Sequence, residues 1–336
     1  MRRLYFLLPG TTKKFACGGL WAELKTMKLA QEVCPAEVVT YRQREPNTLW
    51  LDDLLNSDDT FRALDEAIFV MSWGFDVAKL APKLKSLNAV YHAHSAGYGF
   101  NLSAHVPIIT VSRNTLGYWG QRSPHSLLYY LPNEISDKFQ DYKRDRDIDV
   151  LVQARKSSNY LMNQLIPALQ ERCHVRVIDS YVEDLETLFN RTNVYLYDSA
   201  EYWAVQGVGE GFGLQPMEAL ACGCQVFSSV NNGLSDYLDP AFNCYKIAGY
   251  SKGFDLQRIL RAINSDKKLS LLPNVLEEYR AENIIWRLQI ILEELNEFFD
   301  YKQLYLSDIQ DLDYWQIVKL RSQRILAKVN KKLRMK

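Results

Sequence analysis

Short apolar runs that alternate with helical segments constrain this chain more than any other feature of its 336 residues. The first run, RLYFLL at 3–8, is closed by Pro9–Gly10, and others follow at 38–41, 68–71, 89–91, 108–111 and 127–131. Runs that are apolar on both faces and separated by helices pack as a parallel sheet covered on either side. A charge-dense segment, DKFQDYKRDRDID, interrupts the pattern. It restarts with strands at 150–153, 174–178 and 194–197 and helices at about 159–172 and 182–190.

The expected fold class is α/β, with two Rossmann-like, doubly wound parallel-sheet domains at 1–140 and 141–290 and a helical extension at 291–336. A chain with 47% hydrophobic and 24% charged residues has the composition of a soluble globular protein. Its 40 basic and 40 acidic residues cancel, so net charge argues for no nucleic-acid partner. The six cysteines form no CxxC pair, which points to reduced thiols in a cytosolic protein rather than to a metal site or a disulfide scaffold. The opening MRRLYFLLPG is too short in its apolar part for a signal peptide and reads as the first buried strand. No apolar stretch approaches the roughly 20 residues of a membrane span.

Ligands on parallel sheets sit beyond the carboxyl ends of the strands, so functional residues are sought there. The most informative stretch is GVGEGFGLQPMEALACGCQVFSS at 207–229. It reads as a glycine loop, a helix starting near Leu214 or Gln215 with Pro216 in its first turn, a stop at Gly223, and a strand. Glu210, Gly211 and Gly213 then lie at the positive end of the helix, where amides favour phosphate oxygens. Glu210 and Glu218 frame the loop, and carboxylates beside a phosphate site find their natural partners in hydroxyls. A ligand with phosphates in the middle and hydroxyls at both ends, a nucleotide sugar, fits. The glycines alone also read as an ordinary turn and Glu218 as a solvated helix residue.

The string GEGFGLQPMEALACGCQVFSS resembles the E-x7-E signature of the retaining, family 4 glycosyltransferases of the GT-B fold, departing at Gln225, where that family usually has proline. The resemblance implies two Rossmann-like domains facing a cleft. It implies that Glu210 contacts the donor sugar near the reacting carbon, that Glu218 holds the ribose, and that the amides of Gly211, Phe212, Gly213 and Leu214 bind the diphosphate. Gly18 and Gly19, after the first strand, resemble the family's glycine pair against the diphosphate and acceptor. The G-x-G-x-x-G of a dehydrogenase is absent there. In NAVYHAHSAGYGF, His92 and His94 alternate on an extended segment and share a face, but no third metal ligand is near in sequence. His94 aligns with the family's strand-end histidine, which touches the sugar or the acceptor side. His105, His125 and His174 read as structural.

At the end of strand 150–153 the family has an arginine and, five residues later, a lysine, both gripping the diphosphate. Arg155 matches the first, Tyr160 occupies the lysine position, and Lys156 offers a second cation. Asp236 stands where the family has glutamate. Asp145, Asp147 and Asp149 imitate the D-x-D of metal-dependent transferases but precede their strand among basic residues, so they read as solvated linker. Residues 199–209 lengthen the loop before Glu210 and suggest a lid or acceptor-facing insertion carrying Tyr202 and Trp203. A helix at 276–299 is expected to cross back to the first domain.

The implied reaction is transfer of a sugar from a nucleotide-sugar donor to a glycan or lipid-linked acceptor, with retention, no cofactor and no metal, with Glu210, His94 and Arg155 as catalytic residues. Rival readings are an epimerase or phosphorylase on the same scaffold, and a catalytically silent nucleotide-sugar-binding subunit. The tail at 315–336 carries Lys319, Arg321, Arg324, Lys328, Lys331, Lys332, Arg334 and Lys336 without an acid, with Val318, Ile325, Val329 and Leu333 at helical spacing. It suits an anionic membrane surface at the inner face, or a helix that stays in solution or packs on the body.

Overall fold

The computed structural model describes residues 1–56, 66–265, 267–270, 273–305 and 314–334. Strands β1 (Arg3–Leu8), β2 (Ala36–Thr40), β3 (Leu49–Trp50), β4 (Ala67–Met71), β5 (Ala89–Ala93), β6 (Ile108–Thr110) and β7 (Leu128–Tyr130) form one sheet in the order β3-β2-β1-β4-β5-β6-β7. A second sheet holds β8 (Ile148–Gln153), β9 (Val175–Ile178), β10 (Thr192–Tyr197), β11 (Gln225–Ser228) and β12 (Cys244–Lys246) in the order β12-β11-β10-β8-β9. Every pairing is parallel. Helices α1 (Gly18–Ala30), α2 (Leu51–Asn56), α3 (Gly74–Lys83) and α4 (Arg113–Arg122) accompany the first sheet. With the second go α5 (Ile166–Gln170), α6 (Leu185–Asn190), α7 (Ala200–Gln206), α8 (Leu214–Ala221) and α9 (Lys252–Ile263). Then come α10 (Pro273–Glu277), α11 (Ala281–Leu304) and α12 (Tyr314–Arg334).

The continuous apolar runs follow from burial on both faces. In the first sheet Tyr5, Leu7, Phe69, Met71 and Tyr91 point into one core, while Leu4, Phe6, Ile68, Val70 and Val90 point into the other. The second core is closed by α11, which buries Ile284, Leu288, Ile291, Leu292, Leu295 and Phe299 against it. At roughly 1.5–3 kcal/mol for each such side chain, that face rivals the whole stability of a typical domain. So α11 packs on the first domain although it follows the second in sequence, and the expected boundary at 290 falls inside it. The chain crosses between domains at two adjacent points. Ile135 N–H donates to the Tyr279 carbonyl at 2.8 Å, and the Arg280 guanidinium donates to the carbonyls of Ile135, Ser136 and Phe139 at 3.0, 2.6 and 2.9 Å.

Local departures have local causes. The helix expected at 159–172 is a π-helical turn, Leu161–Leu165, leading into α5, because Pro167 has no N–H to continue the ladder. The acidic linker is partly structural: Asp147 pairs with Arg191, Asp149 accepts from the His174 amide at 2.8 Å, and Arg146 donates to the Cys222 carbonyl at 2.7 Å. Asp236 bridges the domains by accepting from the Arg113 and Asn114 amides at the start of α4. That places a carboxylate on a helix's positive end.

Candidate functional site

Both sheets have their switch points at the domain junction, between β1 and β4 in the first and between β8 and β10 in the second. The loop leaving β5 meets the loop that precedes α8. Gly209 N–H donates to the Ala96 carbonyl at 2.9 Å, and Ser95 Oγ donates to the Gly209 carbonyl. A β-carbon on Gly211 would lie 1.6 Å from the His94 carbonyl oxygen, so only glycine fits. The sequence suggested that this glycine admits a ligand to the backbone; here it admits the other domain's backbone.

Glu210 is buried in a dense donor set. Its Oε2 accepts from Tyr197 Oη and Trp203 Nε1, both at 2.6 Å, and from Lys156 Nζ at 3.3 Å. Its Oε1 accepts only from Lys156, at 3.2 Å, among the described residues. Each partner follows from local structure. Tyr197 ends β10 on the face that carries Tyr195, and Lys156 closes the 3-10 turn Ala154–Lys156 after β8. Trp203 comes from α7, the insertion before Glu210, and its ring also lies 4.6 Å from Lys156 Nζ. Sequence reasoning marked the insertion but not this role, for which an indole N–H seven residues before a buried acid was the signal.

The other candidates divide. α8 starts at Leu214 and ends where expected, Gly223 taking φ +78° beyond the Cys222 cap. Phe212 turns into the core against Tyr237 and Tyr279, leaving its amide for any ligand. Among the described residues the amides of Gly211, Phe212 and Gly213 donate to no protein acceptor. Leu214 is half-buried on the domain core. Glu218 lies in α8, one turn from the helix start, where burial pushes its carboxyl up to about 7 against the opposing pull of Lys25 and Lys138. Lys25, from α1, reaches Glu134, and burial lowers its ammonium to about 8. It therefore joins this corner from the first domain, unmarked by sequence. Gly18 and Gly19 open α1 with open space where a β-carbon on Gly18 would stand.

Arg155 is exposed and has no partner among the described residues, whereas Lys156 stands against Glu210. Tyr160 is buried, its hydroxyl donating to Asp255 Oδ2 at 2.8 Å and its ring against Tyr250, so this position supplies no cation. His94 directly follows β5, which carries His92, and both ring systems meet Glu23 of α1, whose Oε2 lies 2.6 Å from His92 Nδ1 and His94 Nε2. The third polar group missing from the local sequence thus arrives from 70 residues away. Ligands held tetrahedrally on zinc stand about 3.4 Å apart, so the 2.6 Å separations are those of hydrogen bonds.

Two parallel α/β domains meeting at the carboxyl ends of their strands, with α11 returning to brace the first, define the GT-B fold. Residues 135–279, the span between the two crossing points, match the family model described as Glycosyl transferases group 1. Among solved structures the chain is similar to Alr3699/HepE from Anabaena in complex with UDP and glucose (TM-score 0.63, 14% identity, 88% of this chain and 100% of that one). It is similar to sucrose-phosphate synthase from Thermosynechococcus elongatus (TM-score 0.60, 14% identity, 88% and 100%). It spans 63% of the matched chain of the GtfA/B complex, with 76% of its own length, TM-score 0.54 and 13% identity. No curated protein sequence matches it significantly.

The close approach at Gly211 yields a prediction. Gly211→Ala should force the His94 and Gly211 loops apart and lower the melting temperature by several degrees, while Gly18→Ala, which meets open space, leaves it unchanged. Differential scanning calorimetry of both variants checks this; equal melting temperatures would show that the domains do not meet there.

Proposed function

We propose that the chain is a glycosyltransferase that moves a sugar from a nucleotide-sugar donor, held between the domains, to a hydroxyl of a glycan or lipid-linked acceptor. The observation that carries this reading is the pairing of buried Glu210 with Lys156 beside the unpaired amides that open α8. As the bond from the sugar carbon to the diphosphate breaks, negative charge collects on phosphate and positive charge on the carbon. Lys156 and the α8 amides address the first charge, and the free side of Glu210 addresses the sugar. Glu218 takes the ribose hydroxyls. Arg155, exposed, is free to fold onto the diphosphate. The reading assigns the charge to these groups and gives no part to a metal. Retention of configuration is supported by the resemblance of 210–218 alone. A silent binding subunit is the second reading, favoured by Tyr160 where a lysine would be expected; Lys156 beside Glu210 argues for the catalyst. HepE is seen with UDP and with UDP-glucose, so UDP-sugars head the donor panel.

The tail belongs to the same reading. No helix among the described residues is long and apolar enough to cross a membrane. In α12, Trp315, Ile317, Leu320, Ile325, Leu326 and Val329 are exposed alongside Lys319, Arg321, Arg324, Lys328 and Lys331. The side chains of Lys332, Leu333 and Arg334, and all of Lys336, lie outside the described residues. An apolar stripe with cations and no acid suits an anionic lipid surface, each cation adding about 1 kcal/mol. This would hold the enzyme on a cytoplasmic membrane face, near a lipid-linked acceptor.

Four outcomes are expected. With purified protein and a panel of nucleotide sugars, one donor should be hydrolysed slowly with release of its nucleoside diphosphate. Glu210→Gln and Glu218→Gln should each lower turnover or donor affinity by about ten- to a hundredfold, the worth of a charge-assisted hydrogen bond. Binding without release in the wild type would select the silent subunit. Hydroxyls donate to ionised carboxylate, and Glu218 titrates near 7, so donor affinity by calorimetry should fall as pH drops from 8 to 6 and be flat in Glu218→Gln. A pH-independent wild type would remove Glu218 from the site. Vesicles containing phosphatidylserine should pull down the chain and release it in high salt, neutral vesicles should not, and equal recovery on both would refute the lipid surface.

A further inference from the structure

The Glu23–His92–His94 group is a buried titratable cluster, and the proposed reaction as stated gives no task to Glu23 or His92. Glu23 is only 1% exposed, and its Oε1 has no partner. A buried carboxylate is a liability to folding: its desolvation costs several kcal/mol before any pairing, and an apolar residue facing the same core would avoid that cost. Its position therefore asks for a role outside stability.

The geometry supplies one. A carboxylate accepts hydrogen bonds, so each nitrogen 2.6 Å from Glu23 Oε2 carries a proton: Nδ1 of His92 and Nε2 of His94. His92 is thereby locked, with its Nε2 buried and unpartnered. In His94 the remaining nitrogen, Nδ1, has no protein partner among the described residues and is not sealed from solvent. His94 stands at the domain junction, its own carbonyl against Gly211.

We infer that Glu23 is the positioning residue of His94: by holding the Nε2 proton it leaves the Nδ1 lone pair free to accept a hydrogen bond from a substrate hydroxyl. This rests on the reading that a sugar or its acceptor enters that junction. Glu23 remains ionised because the two imidazoles hold its carboxyl down at about 2 despite burial. Burial and His92 lower the His94 imidazole, while Glu23 raises it, so the ring is neutral at neutral pH but less depressed than without the acid. The titratable groups facing that ring are Glu23 from α1 and His92 from β5; the loop before α8 meets the His94 backbone carbonyl. Because His94 is fixed as an acceptor, it discriminates in favour of a hydroxyl and against a methoxy or deoxy analogue at the contacted position.

The test is nitrogen-15 correlation spectroscopy of the histidines in the full chain, with the His94 signal assigned by its loss in His94→Gln. At pH 8 the wild type should show His94 protonated on Nε2. Glu23→Gln should populate both tautomers and move the His94 titration to lower pH, since the charge that favours imidazolium is gone. In steady-state assays Glu23→Gln should lower kcat about ten- to a hundredfold, as loss of a group that orients a functional histidine does, with donor KM within about twofold. A wild-type His94 protonated on Nδ1 would overturn the inference, and this measurement needs no variant to fold. An unchanged tautomer and titration in Glu23→Gln would overturn it too. The expected spectra in a protein that turns over no nucleotide sugar would support the Glu23 assignment and count against the transferase reading.

Discussion

Backbone against backbone, the segment 94–96 at the end of β5 lies on the segment 209–211 before α8, and the geometry of the junction depends on that contact. Buried N–H and carbonyl groups need partners, and here each loop supplies them to the other, with Gly209 bonded to Ala96 and to Ser95 Oγ. The absence of a side chain at Gly211 permits the approach. As a result the backbone of His94, from the first domain, and that of Gly211, next to Glu210 in the second, meet through main-chain geometry rather than through long side chains.

Around this contact the charged groups are held in two different ways. Glu210 is saturated on one oxygen by a phenol and an indole and, among the described residues, shares the other with Lys156 alone, which fixes its plane and leaves one edge for a ligand. Glu218 has only distant cations, Lys25 and Lys138, and burial prevails, so its ionisation is poised near neutrality. The two acids thus sit in different surroundings, one among close donors and the other among buried apolar groups. Lys25 ties the same corner to the first domain through Glu134, while the Arg280 guanidinium pins the crossing strands together. Motion between the domains would have to work through those few bonds.

Much of the fold was legible because a strand buried on both faces cannot avoid an apolar run, as in β1, β4 and β5. The short strands β3 and β12, of two and three residues, leave no such trace. The boundary expected at 290 falls inside α11, whose apolar pattern reads the same whichever domain it covers, and Leu288 and Leu295 pack on the first sheet, as the expected crossing back implies. For the site, the loop and helix at 207–223 were legible, since glycine and proline act through the backbone at the position they occupy. Glu23, Lys25 and Asp236 were not, because each acts on a residue from 71 to over a hundred positions away, and no local spacing encodes that. Arg155 and Lys156 are adjacent, and only the turn after β8 determines which one faces Glu210.

The central claim is that a diphosphate lies on the amides opening α8, between the two domains. A crystal structure of the chain soaked with UDP tests it most directly. The account predicts phosphate oxygens about 3 Å from the amides of Gly213 or Leu214 and from Lys156 Nζ. UDP bound elsewhere, with those amides facing only water, would contradict it.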